Sequence, residues 1–299
     1  MGKYIGIKLS DKISESELIL NPDGSVYHLR LLPEHIADDV ILVGDPARVE
    51  IISKRFDRVD FKTYNREFIT HTGEFNNKRL TVIATGIGTD NLDIVLNELD
   101  AAININLKDR LIKDEKKSLN IVRIGTSGAL QKDIPIDSFV VSSYSLGFDG
   151  LLHFYDGWDK LSQKEITEAF ILHSDWKKEL AKPYIIKGSD ELLNKIGNGI
   201  KKGITATASG FYAPQGRKLR ANLSIPDLNQ VLTTFRYNGN QITNFEMETS
   251  ALYGLGQLLG HKTCTICAIV ANRIIKQYSK DYKKTVDRLI DHALQKLTS

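Results

Sequence analysis

The chain has 299 residues, 41% hydrophobic and 26% charged, which suits a globular protein whose core is large enough to need no staple. Its 40 basic and 37 acidic residues leave a net charge of +3, too balanced to point to nucleic acid or to a membrane surface. No apolar run approaches the roughly 18 residues of a membrane span, and Met1–Ile7 carries no secretory apolar region, so a cytoplasmic protein is expected.

The first forty residues carry few signals. Asn21-Pro22-Asp23-Gly24 is a turn, and Val26–Leu29 reads as a short extended piece containing His28. Asp39–Val43 reads as the first core strand. It runs into Gly44-Asp45-Pro46-Ala47-Arg48 and a helix over Val49–Phe56. Asp45 suits the cap and Pro46 the first turn. A strand, a glycine and a helix N-terminus make a ready anion site, with Arg48 in the first turn. Phe61–Tyr64 and Phe68–Thr72 are extended pieces flanking Asn65-Arg66-Glu67, and Lys78–Ala84 is a strand ending in Thr85-Gly86-Ile87-Gly88. Leu92, Val95, Leu96, Leu99 and Ile103 then form a helical stripe, followed by a charged connector over 107–118.

Leu119–Val122 reads as a buried strand delivering Arg123, with Ile124-Gly125-Thr126-Ser127-Gly128 as a small-residue turn. Arg offers a planar fork of donors, Thr126 and Ser127 add hydroxyls, and the glycines admit a ligand close to the backbone. Ser138–Ser143 is a strand. The loop Gly147–Asp159, rich in Gly, Asp and aromatics, is expected to line a site. Helices are expected over Gln163–Leu180 and Asp190–Ile200, and a strand over Ile204–Ala208. That strand opens into a loop holding Phe211, Tyr212, Gln215, Gly216 and Arg217. A planar heterocycle can stack on such an aromatic ring and bond to the amide and guanidinium. Thr243–Glu248 enters a helix through Leu259, with two carboxylates straddling Met247; either carboxylate can serve the helix dipole or accept from sugar hydroxyls. Thr263–Ala271 is a strand ending in Asn272-Arg273, and the last helix runs from Tyr282 to about Leu297. Cys264 and Cys267 are the only cysteines; three apart in a strand they face opposite sides, against a shared metal or redox site. Alternating strands and helices without a linker argue for an α/β fold, with ligands at the loops that follow strands.

Taken in order, Gly44-Asp45-Pro46-x-Arg48, Arg66-Glu67-Phe68, Thr85-Gly86-Ile87-Gly88, Arg123–Gly128, Phe211-Tyr212 with Gln215-x-Arg217, and Asn244–Glu248 resemble nucleoside phosphorylase family I, in its pyrimidine-cleaving branch. The likeness runs from about Val26 onward, leaving 1–25 as an N-terminal extension to a phosphorylase domain over 26–299. It implies a three-layer α/β/α sandwich whose mixed central sheet forms a distorted barrel. It further implies phosphorolysis of uridine to uracil and ribose 1-phosphate, in a homohexamer built from dimers whose active sites are shared across the dimer interface.

Carried over by residue, the resemblance implies that Gly44, Arg48, Arg123 and Thr126 hold phosphate, with Arg66 reaching a neighbouring subunit's phosphate. His28 would reach across to the ribose 5′-hydroxyl, while Met247 and Glu248 hold the ribose. Phe211, Gln215, Arg217 and Arg273 would hold the base. Arg123, Gln215, Arg217 and Glu248 would then carry the chemistry, with no organic cofactor. Some relatives bind a monovalent cation at the dimer interface through a glutamate matching Glu67. Asn91 stands where those relatives have a serine ligand, which leaves the ion open. Gly216 replaces a residue that is often acidic. A purine phosphorylase, a hydrolase of the same superfamily, and a non-catalytic nucleoside-binding protein remain alternatives at this level.

Overall fold

The computed structural model describes residues 12–299. Residues 1–11 lie outside the described part, and with them the segment Met1–Ile7. In chain order the elements are β1 (Asp39–Val43), α1 (Pro46–Ser53), β2 (Arg58–Asn65), β3 (Phe68–Phe75), β4 (Lys78–Ala84) and α2 (Thr89–Asn104). A small hairpin of β5 (Ile105–Asn106) and β6 (Leu111–Ile112) leads to β7 (Asn120–Ala129) and β8 (Phe139–Gly147). Then come α3 (Trp158–Leu161), α4 (Lys164–Ser174), β9 (Tyr184–Lys187), α5 (Asp190–Ile196) and β10 (Lys201–Thr207). The rest is α6 (Leu228–Thr234), β11 (Arg236–Tyr237), β12 (Asn240–Glu246), α7 (Thr249–Leu258), β13 (Lys262–Asn272), β14 (Gln277–Tyr278) and α8 (Tyr282–Thr298).

Most strands join one 12-stranded mixed sheet. β7 pairs with β13, β13 with β8, β8 with β10, β10 with β12, and β12 back with β7. That ring is the distorted barrel, and β1, β4, β3 and β2 extend the sheet away from it. β1 shows how the layers form: all its side chains are buried, as in a strand covered on both faces. Val40 and Leu42 pack with the apolar stripe of α2 and with α7, while Ile41 and Val43 pack with α1, α5 and α8. Successive side chains point to opposite faces, so one short strand builds both cores. Leu18, outside the region of resemblance, is buried in the same core as Val26 and α2. Among the described residues no helix is long and apolar enough to cross a membrane.

Several expectations are corrected. Ile124–Gly128 is not a turn after a strand; β7 continues through Ala129, with Gly125 opposite Cys267 and Gly128 opposite Phe245. Its glycines make room for side chains: the Arg123 guanidinium lies over Gly125, and the Arg273 stem lies 3.3 Å from where a Cβ of Gly128 would stand. The loop Gly147–Asp159 does not reach the main cavity. Its Leu152 is buried, and Asp149 accepts hydrogen bonds from Tyr184 and Ser250, so the loop serves the core. The helix expected to Leu180 stops at Ser174, because Asp175 takes a left-handed φ of 45°. β9 follows, a short strand paired with β8 along its length and bridged to Ser162 at Ile186.

Candidate active site

The main cavity, of about 960 Å³, opens where loops follow β1, β4, β10 and β12 and where β7 and β13 pass. Such crevices beyond strand ends are where open α/β sheets bind ligands, and the volume is that of a small-molecule site.

At one end stands α1. Asp45 caps it, accepting from Ala47 N at 3.0 Å, and Pro46 occupies the first turn. Arg48 is only 8% exposed and donates to Ile124 O at 3.1 Å. Burial, and then the charge of Arg123, lower its pKa. Among the described residues it forms no ion pair, so a buried positive charge faces the cavity without a counter-ion. That is the electrostatic setting of an anion site at a helix N-terminus.

In the middle, Arg123 is held between two buried carboxylates. Its Nη2 donates to Glu248 Oε2, and its Nη1 lies 3.4 Å from Glu246 Oε2. Burial disfavours the guanidinium charge, but Glu248 and Glu246 outweigh it and its pKa rises. Glu248 also accepts from Gly88 N at 2.9 Å, in the loop before α2. Burial pushes Glu248 up to about 7; Arg123 and the Gly88 N–H pull against this, while the Glu246 charge adds to it. Thr126 and Met247, both half-buried, border the same space.

The far end is built from donors. The Arg217 guanidinium lies 3.8 Å over the Phe211 ring and donates to Phe211 O at 2.7 Å and Gln215 Oε1 at 2.6 Å. Arg273 donates from Nη2 to Gln215 O at 2.9 Å, while its buried Nη1 has no partner among the described residues. Burial and then the neighbouring Arg217 lower Arg273 to about 10. Phe211 is half exposed to the cavity mouth, and Gln215 is buried. Asn272, at the end of β13, is turned into the protein. Its amide donates to Gln131 O and Ile134 O, both at 2.8 Å, and its oxygen accepts from Ile274 N and Ile275 N.

Comparison with known proteins places this arrangement. The sequence profile of the phosphorylase superfamily matches residues 38–298. The chain belongs to that superfamily. A uridine phosphorylase of Thermococcus kodakarensis is 28% identical over 293 residues, covering 95% of this chain and 91% of its own. A DeoD-type purine nucleoside phosphorylase of a Geobacillus species is 27% identical over 274 residues, covering 90% of this chain and 96% of its own. A solved nucleoside phosphorylase of Trypanosoma brucei, described as showing uridine phosphorylase activity, superposes with a TM-score of 0.86. Its identity is 27%, over 94% of this chain and 99% of that one.

Of the site residues expected from the motifs, Gly44, Arg48, Arg123, Thr126, Met247, Glu248, Phe211, Gln215, Arg217 and Arg273 border this phosphorylase cavity. His28 and Arg66 do not. His28 Nδ1 lies 2.6 Å from Glu98 Oε1. Arg66 is exposed at the β2–β3 turn with φ 53°, and neighbouring Asn65 donates to His28 O at 2.9 Å. The two therefore share one patch of surface. Tyr278 and Tyr282 border the cavity and had no motif to mark them. Their only signal is position, flanking the start of the last helix after the Arg273 strand.

Proposed function

We propose that this chain catalyses the reversible phosphorolysis of uridine, giving uracil and ribose 1-phosphate. Phosphate is the nucleophile, so no side chain needs to form a covalent bond. Arg48 and Arg123 orient it beneath C1′, with Gly44 and Thr126 beside it. Glu248 accepts from the ribose hydroxyls, with Met247 packed alongside. As the glycosidic bond breaks, ribose takes on oxocarbenium character and negative charge grows on the uracil oxygens. Gln215, Arg217 and Arg273 face that charge and Phe211 stacks on the ring. Donors placed in advance where charge develops are the main source of such stabilisation. Each charge-assisted hydrogen bond is worth about 1.5–3 kcal/mol, so losing one slows turnover by roughly one to two orders of magnitude. No cofactor enters the proposal.

The observation that carries the reading is the pairing of opposite needs in one cavity: a buried arginine without a counter-ion at one end, and a base end built of donors at the other. Purine release calls for a general acid at N7. The residue at the end of β13 is Asn272, already committed to four bonds within the protein. A hydrolase would have no use for the unpaired charge of Arg48.

We also propose that the working unit is a homodimer, within a larger ring, in which His28 and Arg66 complete the neighbour's site. Their shared surface position, outside the cavity of their own chain, supports this.

The test is base release from uridine and inosine, with and without phosphate. Uridine should be cleaved far faster, and only with phosphate. Phosphate-independent release would mean a hydrolase, and a preference for inosine would sink the pyrimidine reading.

A further inference from the structure

Two carboxylates meet Arg123, and they are not equivalent. Both border the cavity, but Glu248 reaches out of its own segment, with Oε2 on Arg123 and Oε1 on the Gly88 N–H. Glu246, the last residue of β12 and 4% exposed, spends its oxygens on the protein. Oε1 accepts from Thr207 Oγ1 at 2.6 Å and Thr249 N at 3.1 Å. Oε2 accepts from Glu248 N at 2.9 Å and Thr249 N at 3.0 Å, and lies 3.4 Å from Arg123 Nη1. Thr207 Oγ1 in turn accepts from Ser250 N at 3.1 Å.

The first turn of α7 has backbone N–H groups that need acceptors, normally supplied by the N-cap side chain. Glu248 is that N-cap residue, yet makes no capping bond. Glu246 and Thr207 take over the duty at residues 248, 249 and 250. The Glu248 carboxylate is thereby left free to face the cavity.

We propose that Glu246 is a positioning residue. It binds no substrate atom, but ties the Arg123 guanidinium and the backbone carrying Glu248 into one unit that presents both to phosphate and ribose. The cradle is completed by Gly125, where a Cβ would strike Arg123, and by Cys267, whose sulfur stands 3.8 Å from Arg123 Nη1. The charged and titratable groups facing Glu248 are Arg123 of β7, Glu246 of β12 and, beyond Arg123, Cys267 of β13 and Arg48 of α1. Because Glu246 repels the ionised form of Glu248, its charge adds to the larger effect of burial in raising the pH at which Glu248 ionises. This inference rests on the phosphorolysis reading above.

The test is Glu246→Gln, assayed for phosphorolysis across pH 5–9. Gln keeps the shape but loses the charge and part of the acceptor set. The KM for phosphate should rise about tenfold, as one charge-assisted contact on Arg123 is lost. The acid limb of kcat/KM for uridine should move to lower pH, since Glu248 then ionises more easily. A merely structural Glu246 would leave the acid limb where it is. A wild-type acid limb together with a wild-type phosphate KM overturns the proposal. Should Glu246→Gln fail to fold, Thr207→Val replaces it, freeing Glu246 without removing charge. A rise in phosphate KM without a fall in Tm supports the proposal, since a merely structural contact would lower Tm and leave KM alone, and an unchanged KM overturns it. If wild-type protein releases uracil without phosphate, it is the phosphorolysis reading that fails instead.

Discussion

Replacing Arg123 by alanine removes a guanidinium from between two buried acids. The side chains of Arg123, Glu246 and Glu248 are 5%, 2% and 5% exposed, so water cannot take its place at little cost. An arginine delivered at a strand end would be dispensable to the fold, but this one sits inside β7, between its neighbours β1 and β13. Breaking a buried ion pair by removing one partner costs about 3–5 kcal/mol, because the remaining charge is stranded. At about 2 °C per kcal/mol for a chain of this size, Tm should fall by roughly 6–10 °C at pH 8. The pH dependence has a definite sign. Burial raises Glu248 from 4.5 to about 7, and Arg123 is the larger of the two influences that hold it down, so the variant raises it further. A carboxylate that binds its proton more tightly when folded loses stability as pH rises from the unfolded pKa through the folded one. The deficit of Arg123→Ala should therefore be smallest near pH 5 and grow toward pH 8. Scanning calorimetry of both proteins at pH 5, 6.5 and 8 measures it. A variant melting within about 1 °C of wild type at pH 8, or a deficit that shrinks as pH rises, refutes the reasoning.

Three further outcomes are expected. Arg66→Ala and Glu248→Ala proteins should each be poor alone and regain activity when mixed and reassembled, because a hybrid dimer holds one intact site; no recovery in demonstrably mixed oligomers counts against shared sites. Asn272→Ala should lower Tm, since four internal hydrogen bonds go, yet leave the ratio of uridine to inosine cleavage unchanged; a shifted ratio in steady-state kinetics would give Asn272 a part in base choice. Phe211→Ala should raise the KM for uridine about tenfold, as base–aromatic stacking is worth on the order of 1–3 kcal/mol, and a KM within twofold of wild type would remove Phe211 from the base site.

Local signals carried much of the fold. β1 and β4 were legible to the residue, because a run of β-branched and aliphatic residues closing on glycine admits few other readings. The Asp45 cap and Pro46 start of α1 were equally plain, as were the stripes of α2 and α8. Elements without a local pattern were not legible. β9 is four residues whose partners, β8 and the Ser162 bridge, lie far away or outside any pattern, and α6 lies in a stretch of mixed polarity.

The kinds of residue in the site, and their order, were determined by sequence alone: arginines after strands, a glutamate pair around Met247, an aromatic with Gln215 and Arg217. Which of those residues meet was decided only by tertiary structure. Arg123 reads locally as the end of a strand, because two glycines in the next five residues suggest a turn. It lies well inside the strand, since those glycines accommodate side chains rather than bend the backbone. Glu246 and Glu248 look interchangeable in the sequence. They diverge because one ends a strand and points at the N–H groups of α7, while the other opens that helix and points at Gly88, 160 positions away. Hydrogen bonds between such distant segments exist only once the barrel has closed, and no local pattern of residues encodes them.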